Sequence, residues 1–238
     1  MMMRKTMGGL VFFISMVATV LLVISSSIAV PILVRPFYYL HISMLRLPEI
    51  TGLSTAAIHA AYNDVIDYCL GLQTNFSAGS LPWSESGADH FADVRFLFQL
   101  DLAVLGISLA VLLGVFLLKR LAGWRSAVVL RHGAGFWASI LLIVAAAALG
   151  CWIAADFNQA FVTFHTLFFP GKDNWIFDGR TDPIIYLLPE TFFRNCALLI
   201  ITLLVLWCVG LILWDIISKR KKKNRGTVSR PDPHFKAA

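Results

Sequence analysis

NCALLIITLLVLWCVGLILW, residues 195–214, carries no charged side chain, and DIISKRKKK follows it directly. A helix of about 20 apolar residues crosses a hydrocarbon core of roughly 30 Å, so the stretch reads as a membrane span with a basic stop signal behind it. Working outward, residues 10–34, 96–118 and 136–155 meet the same test. Asp101 lies near the start of its window, Asp156 ends the third and Asp215 follows the fourth, so no charge falls near a bilayer midplane. The whole chain agrees: of 238 residues, 58% are apolar and 14% charged, with a mean hydropathy of +0.74. That composition excludes a soluble globule, and 18 Phe with 7 Trp exclude a disordered chain. The expected fold is an all-α integral membrane protein, a single membrane domain over 1–238 whose four transmembrane helices carry a small extracytoplasmic cap built from the 1–2 and 3–4 connections.

Charge sets the expected orientation. Of the 20 Lys and Arg, 14 fall before span one, between spans two and three, or after span four, while six acids lie in 35–95 and four in 157–194. By the positive-inside rule both termini are cytoplasmic, as are the loop 119–135 and the tail 215–238. The outer segments are then 35–95 and 156–194. The net charge of +6 is concentrated in the run Lys219 to Lys223 and its neighbours. Immediately after a span, such a run faces anionic lipid and is not a nucleic-acid site. Arg4, Lys5 and Ser27-Ile28-Ala29 give the first span a loose likeness to a cleaved signal peptide. Its 25 uncharged residues exceed a typical signal core, and it is read as a retained anchor. Cys69, Cys151, Cys196 and Cys208 form no CxxC or zinc-knuckle spacing and read as small packing residues.

The outer segments hold the candidate chemistry. In the first, Ser54 is a helix cap, and Ile58, Tyr62, Val65, Ile66 and Cys69 recur at near-helical spacing before Gly71 closes a surface helix approached irregularly through Pro31, Pro36 and Pro48. Asp89-His90-Phe91-Ala92-Asp93-Val94-Arg95 then enters span two, where His90 and Asp93, three apart, share a face. In the second, Phe161 to Phe169 is expected to continue the span-three helix until Pro170-Gly171 breaks it, placing His165 at a similar depth. Short extended segments are expected on either side of Asp178-Gly179. Trp175, Phe177, Tyr186, Phe192 and Phe193 suit a surface among headgroups and acyl chains.

Histidines and carboxylates at one membrane depth have three readings: interfacial polar residues satisfying one another, a metal site on His90, Asp93 and His165, or general acid and base catalysis by imidazole. Spacing does not choose among them, although no HExxH or HxxxH pair is present. His41, His59, His132 and His234 are assigned no catalysis. Phosphate-binding loops, GxSxG and SxxK are absent, and the midplane lacks the ionisable residues of a transporter. An outer-leaflet enzyme is the remaining catalytic class, with a metal-dependent lipid or ester hydrolase and a non-catalytic accessory protein as alternatives.

The ordered set HFADVR (90–95), FHTLFF (164–169), NWIFD (174–178) and DPII…LPETFF (182–193) resembles the lipoprotein intramolecular transacylase (Lit) family over nearly the whole chain. In that family a Pro often follows the Asp of the tryptophan motif, where this chain has Gly179. The resemblance implies an acyltransferase acting on diacylglyceryl-modified bacterial lipoproteins. It would move the sn-2 acyl chain to the α-amino group of the N-terminal cysteine and leave an N-acyl S-monoacylglyceryl (lyso) form. Neither an external acyl donor nor a cofactor is implied. On this reading His90 or His165 takes the ammonium proton and the other serves the departing alkoxide, Asp93 or Asp89 holds an imidazole tautomer, and Arg95, Trp175 or Arg180 stabilises the oxyanion.

Overall fold

The computed structural model describes the backbone of residues 2–228 and the side chains of 6–220. Arg4, Lys5, Lys221 to Lys223, the Pro231-Asp232-Pro233 end and His234 lie outside the described side chains. Among the described residues the regular elements are all helices, joined by turns and loops, in the order α1 (Met2–Leu33), α2 (Arg35–Met44), α3 (Leu47–Thr51), α4 (Thr55–Leu70), α5 (Glu85–Leu121), α6 (Ala134–Ala155), α7 (Phe157–Phe168), α8 (Ile184–Leu187) and α9 (Glu190–Val228). Four of these, α1, α5, α6 and α9, are long and apolar enough to cross a membrane. The protein is a multi-pass integral membrane protein.

α1 packs along α5, α6 and α9, and α6 pairs with α9. Small side chains permit these approaches: Ser25, Ser27, Ala138, Ser139 and Cys208 are almost completely buried. The serine hydroxyls return to carbonyls one turn back, Ser27 to Val23 (2.7 Å) and Ser139 to Gly135 (2.8 Å), so these hydroxyls are not left bare in an apolar seam. The bundle's own core is slight, with Val23, Leu142 and Cys208 at its centre. Few Leu, Val and Phe of the spans are buried, as expected when lipid is the solvent.

The larger core lies at one end, in a cap formed by α2, α3, α4, α8 and the first turns of α5 and α9. Tyr38 stacks on Tyr62 at 3.7 Å with planes 7° apart, and Phe192 meets Tyr38 edge-on at 5.2 Å. Such pairs add about 0.5–1.5 kcal/mol beyond area burial. The Tyr38 hydroxyl donates to Leu187 O (2.9 Å), which ties α2 to α8. α4 has the expected termini: Ser54 Oγ accepts from Ala57 N, and Gly71 (φ +81°) closes the helix with its N–H on Asp67 O and Tyr68 O.

Two sequence expectations change. α6 and α7 are not one helix: at Asp156 the backbone is extended (φ −154°, ψ 93°), and its carboxylate accepts from Gln159 N (2.9 Å) as the N-cap of α7. A capping Asp offers the backbone an alternative to continued helix, so α7 can leave the direction of the span. Around Asp178-Gly179 the chain forms turns, with Thr181 N and Asp182 N both on Asp178 O, where extended segments were expected.

At the opposite end of the bundle Asp215 accepts from His132 Nδ1 (2.8 Å), Lys219 Nζ (2.6 Å) and Gly133 N (3.2 Å). These contacts fasten the 119–135 loop to α9.

Candidate active site

α5 is 37 residues long, about 55 Å at 1.5 Å per residue, against a hydrocarbon core of roughly 30 Å. Its first turns therefore project beyond the apolar window that opens at Phe96, and they carry Asp89, His90, Asp93 and Arg95. His90 is 6% exposed and His165, from α7, 8%. Their rings face each other with centroids 5.9 Å apart and planes at 30°. The helix break at Asp156 makes this possible, because α7 leaves α6 and carries His165 towards α5.

An aromatic cage encloses the pair. Phe169 and Phe177 meet His90 edge-on at 4.9 and 5.5 Å. Phe161 and Trp175 cover His165 at 4.2 and 4.5 Å. Burial disfavours the charged imidazolium and pushes His90 down to about 4; the neighbouring His165 and Lys172 act in the same direction, and Asp93 and Asn174 partly oppose them. His165 is lowered by burial and partly restored by the Phe161 carbonyl. Both rings are thus neutral near pH 7.

That carbonyl also fixes a tautomer. His165 Nδ1 lies 2.8 Å from Phe161 O, a pure acceptor, so the proton sits on Nδ1 and Nε2 keeps its lone pair. His90 Nδ1 and Asn174 Oδ1 are buried, and neither makes a hydrogen bond of full geometry among the described residues, although Asn174 lies close enough to favour the protonated ring. An unsatisfied buried polar atom costs about 1–3 kcal/mol, and native folds keep few of them outside working sites.

The carboxylates do not hold the imidazoles. Asp93 accepts from Lys172 Nζ at 2.6 and 2.7 Å and from Asn174 Nδ2 at 3.3 Å, while Asp89 is exposed with no side-chain partner among the described residues. Helical spacing brought His90 and Asp93 to neighbouring positions, but a short Asp side chain on the exposed edge finds the Lys172 ammonium more readily than a ring turned inward. Burial pushes the Asp93 carboxyl up, but the hydrogen bonds from Lys172 and Asn174 together outweigh it and hold the group below its ordinary range.

The expected oxyanion donors are engaged elsewhere. Arg95 donates to Gln73 O (3.1 Å) and lies over the Tyr68 ring (4.9 Å), facing α4. Trp175 Nε1 donates to Lys172 O (3.2 Å) and only its ring covers His165. Arg180 is a solvent-facing partner of Asp178. At Gly179 the Tyr186 hydroxyl occupies the place of a Cβ, so a larger residue has to displace that ring.

His41 is a structural histidine: Nδ1 donates to Phe37 O (2.7 Å), and Nε2 accepts from Asn195 Nδ2 (3.0 Å). His59 stacks on Tyr39 at 4.1 Å. No group of three or more His, Cys, Asp and Glu converges to hold a metal among the described residues.

Sequence reasoning gave no role to Asp182, 3% exposed. Its carboxylate accepts from Ser84 N (2.8 Å), Ser84 Oγ (2.8 Å) and Thr181 Oγ1 (2.7 Å), and Ser84 in turn caps α5 through Gly87 N (3.0 Å). A buried anion at the N-terminus of a long helix is favoured by the helix dipole. Here it locks the start of the His90 helix to the segment that follows Phe177. Its only sequence signal was membership of the DPII motif.

A membrane bundle that buries two neutral imidazoles beneath a helical cap defines a class of protein: a multi-pass membrane enzyme equipped for proton transfer at one face. The chain belongs to the lipoprotein intramolecular transacylase Lit family, whose model matches residues 13–193, and it is an acyltransferase. It is similar to the lipoprotein intramolecular transacylase Lit from Bacillus cereus, at 25% identity over 93% of this chain and 98% of that one, with a TM-score of 0.80. Structures of that protein with one histidine replaced by arginine or alanine match at a TM-score of 0.72, each over 92% of this chain. A search of the curated proteins finds no match.

Proposed function

We propose that this enzyme moves the sn-2 acyl chain of a diacylglyceryl-modified bacterial lipoprotein to the α-amino group of its N-terminal cysteine, giving the N-acyl S-monoacylglyceryl form. It works as one membrane domain in the bacterial cytoplasmic membrane, with both termini cytoplasmic and the cap at the outer leaflet. The basic loop and tail support that orientation. The paired, buried imidazoles of His90 and His165 carry the reading, together with family membership.

The substrate ammonium, with a pKa near 8, has to lose a proton before it attacks an ester. His165 Nε2, its lone pair fixed by the Phe161 contact, takes that proton. The amine nitrogen attacks the sn-2 carbonyl carbon and then gives up a second proton, which His90 relays to the departing alkoxide as the ester C–O bond breaks; the proton held by His165 is released to water. An amide and a free sn-2 hydroxyl result. Amine and ester belong to one molecule, so holding them in register lowers the barrier by up to about 7–11 kcal/mol, and few catalytic groups suffice. The aromatic cage grips acyl chain and excludes the water that would hydrolyse the ester.

The test is mass spectrometry of N-terminal lipopeptides from a reporter lipoprotein, co-expressed with this protein in a bacterium that leaves its lipoproteins diacylglyceryl-modified with a free amine. A product of unchanged mass with N-acyl cysteine is expected. Loss of one acyl chain would replace transfer by hydrolysis, and an unchanged lipopeptide beside correctly inserted protein would replace catalysis by an accessory role.

A further inference from the structure

Transfer leaves one charge without a partner: the oxyanion of the tetrahedral intermediate. Arg95, Trp175 and Arg180, the donors the sequence offered, are committed to Gln73 O, Lys172 O and Asp178. Lys172 is placed otherwise. Its N–H bonds to Phe169 O (3.1 Å) and its O accepts from Trp175 Nε1 (3.2 Å). It is therefore held between the ring that meets His90 at 4.9 Å and the ring that covers His165 at 4.5 Å. Its ammonium has three protons, and its contacts with Asp93 use two of them, at 2.6 and 2.7 Å. The side chain is 48% exposed, at the edge of the buried imidazole pair.

Resting on the transfer reading, we propose that Lys172 is a catalytic residue whose ammonium, steadied by Asp93, stabilises the oxyanion formed when the amine attacks the sn-2 ester. As nitrogen adds to the carbonyl carbon, the carbonyl electron pair moves to oxygen, and the third Nζ proton meets it. The pair returns as the ester C–O bond breaks, so Lys172 neither gains nor loses a proton over the reaction. Asp93 keeps the ammonium in place and preserves a neutral pair in the resting site. The positive charge acts where negative charge develops, which is the arrangement that lowers a transition state more than a ground state. Burial and the neighbouring His165 do most to disfavour protonation of His90, and the Lys172 charge adds a smaller effect in the same direction.

The experiment uses the full chain reconstituted in lipid, a synthetic diacylglyceryl lipopeptide, and kcat and KM determined separately by mass spectrometry. Lys172→Met is expected to lower kcat about 10²–10³-fold with KM little changed, and Lys172→Arg to stay within about tenfold of the parent, since guanidinium also donates. Asp93→Asn, which keeps the ammonium, is expected to retain more activity than Lys172→Met. Asp93→Asn/Lys172→Met, which leaves no unpaired charge to disturb folding, is expected to be as slow as Lys172→Met. Parental kcat in either Met variant overturns the role of Lys172 while transfer itself stands. So does recovery of activity in the reversed pair Asp93→Lys/Lys172→Asp, which would make the contact only a tether. Hydrolysis instead of transfer by the unaltered protein would remove the underlying reading and this one with it.

Discussion

His90 of α5 and His165 of α7 stand 5.9 Å apart across the base of the cap. They come from segments 75 positions apart, and each is buried by rings from the 3–4 connection. The contact joins two separately anchored parts of the chain, and what disturbs either anchor disturbs the chemistry.

Removing either imbidazole's function separates their roles. His165→Ala deletes the proton acceptor and His90→Ala the donor to the alkoxide, and general acid or base groups contribute typically about 10²–10⁴-fold. Each variant is expected to lose at least about 10²-fold in lyso-lipoprotein formation while inserting normally, as lipopeptide mass spectrometry beside a membrane-fraction blot will register.

The pH dependence of stability follows from His90. Its folded value, about 4, lies below the ordinary 6.5. Between those two values the unfolded chain binds the proton and the folded chain does not, so stability rises with pH through the window and levels off above it. The midpoint of thermal unfolding in detergent should fall as pH drops from about 6.5 towards 4, and His90→Phe should flatten that slope. Activity has a different limb. With both imidazoles already neutral, it is expected to climb towards pH 8 with deprotonation of the substrate amine.

Asp182 locks the start of α5. Asp182→Ala strands the partly buried Ser84 N–H, and the loss of charged hydrogen bonds of this kind costs about 1.5–3 kcal/mol. Lower thermal stability and lower kcat are expected together; a variant with parental values in both would remove the anchoring role.

Gly87 inverts an ordinary preference. Ala in a helix interior is usually more stable than Gly by roughly 0.5–1 kcal/mol. A Cβ here would lie 2.2 Å from Asp182 Oδ1 and 3.2 Å from Phe177 Cε1. Gly87→Ala is therefore expected to destabilise the protein and slow transfer, which thermal melts and turnover assays check in parallel.

Chelation distinguishes the metal-dependent alternative. Product formation is expected to be unchanged after prolonged treatment with EDTA. Loss of activity restored by added Zn²⁺ would support that alternative instead.

The sequence by itself determined the four spans, because a hydrocarbon slab imposes one length and one composition on any helix that crosses it. It also determined the Ser54 and Gly71 boundaries of α4, since capping is local chemistry. His90 and His165 were legible as candidates from their motifs. Their pairing was not, because it depends on the helix break at Asp156, where a capping carboxylate overrides an otherwise helical pattern. Nor were the partners of the charges: spacing along one helix put Asp93 beside His90, yet the carboxylate went to Lys172, 79 positions away. Periodicity reports which residues share a face. Which groups meet across faces is decided by the packing of the cap, where Asp182, Lys172 and the Phe161 carbonyl acquire roles that no local pattern marks.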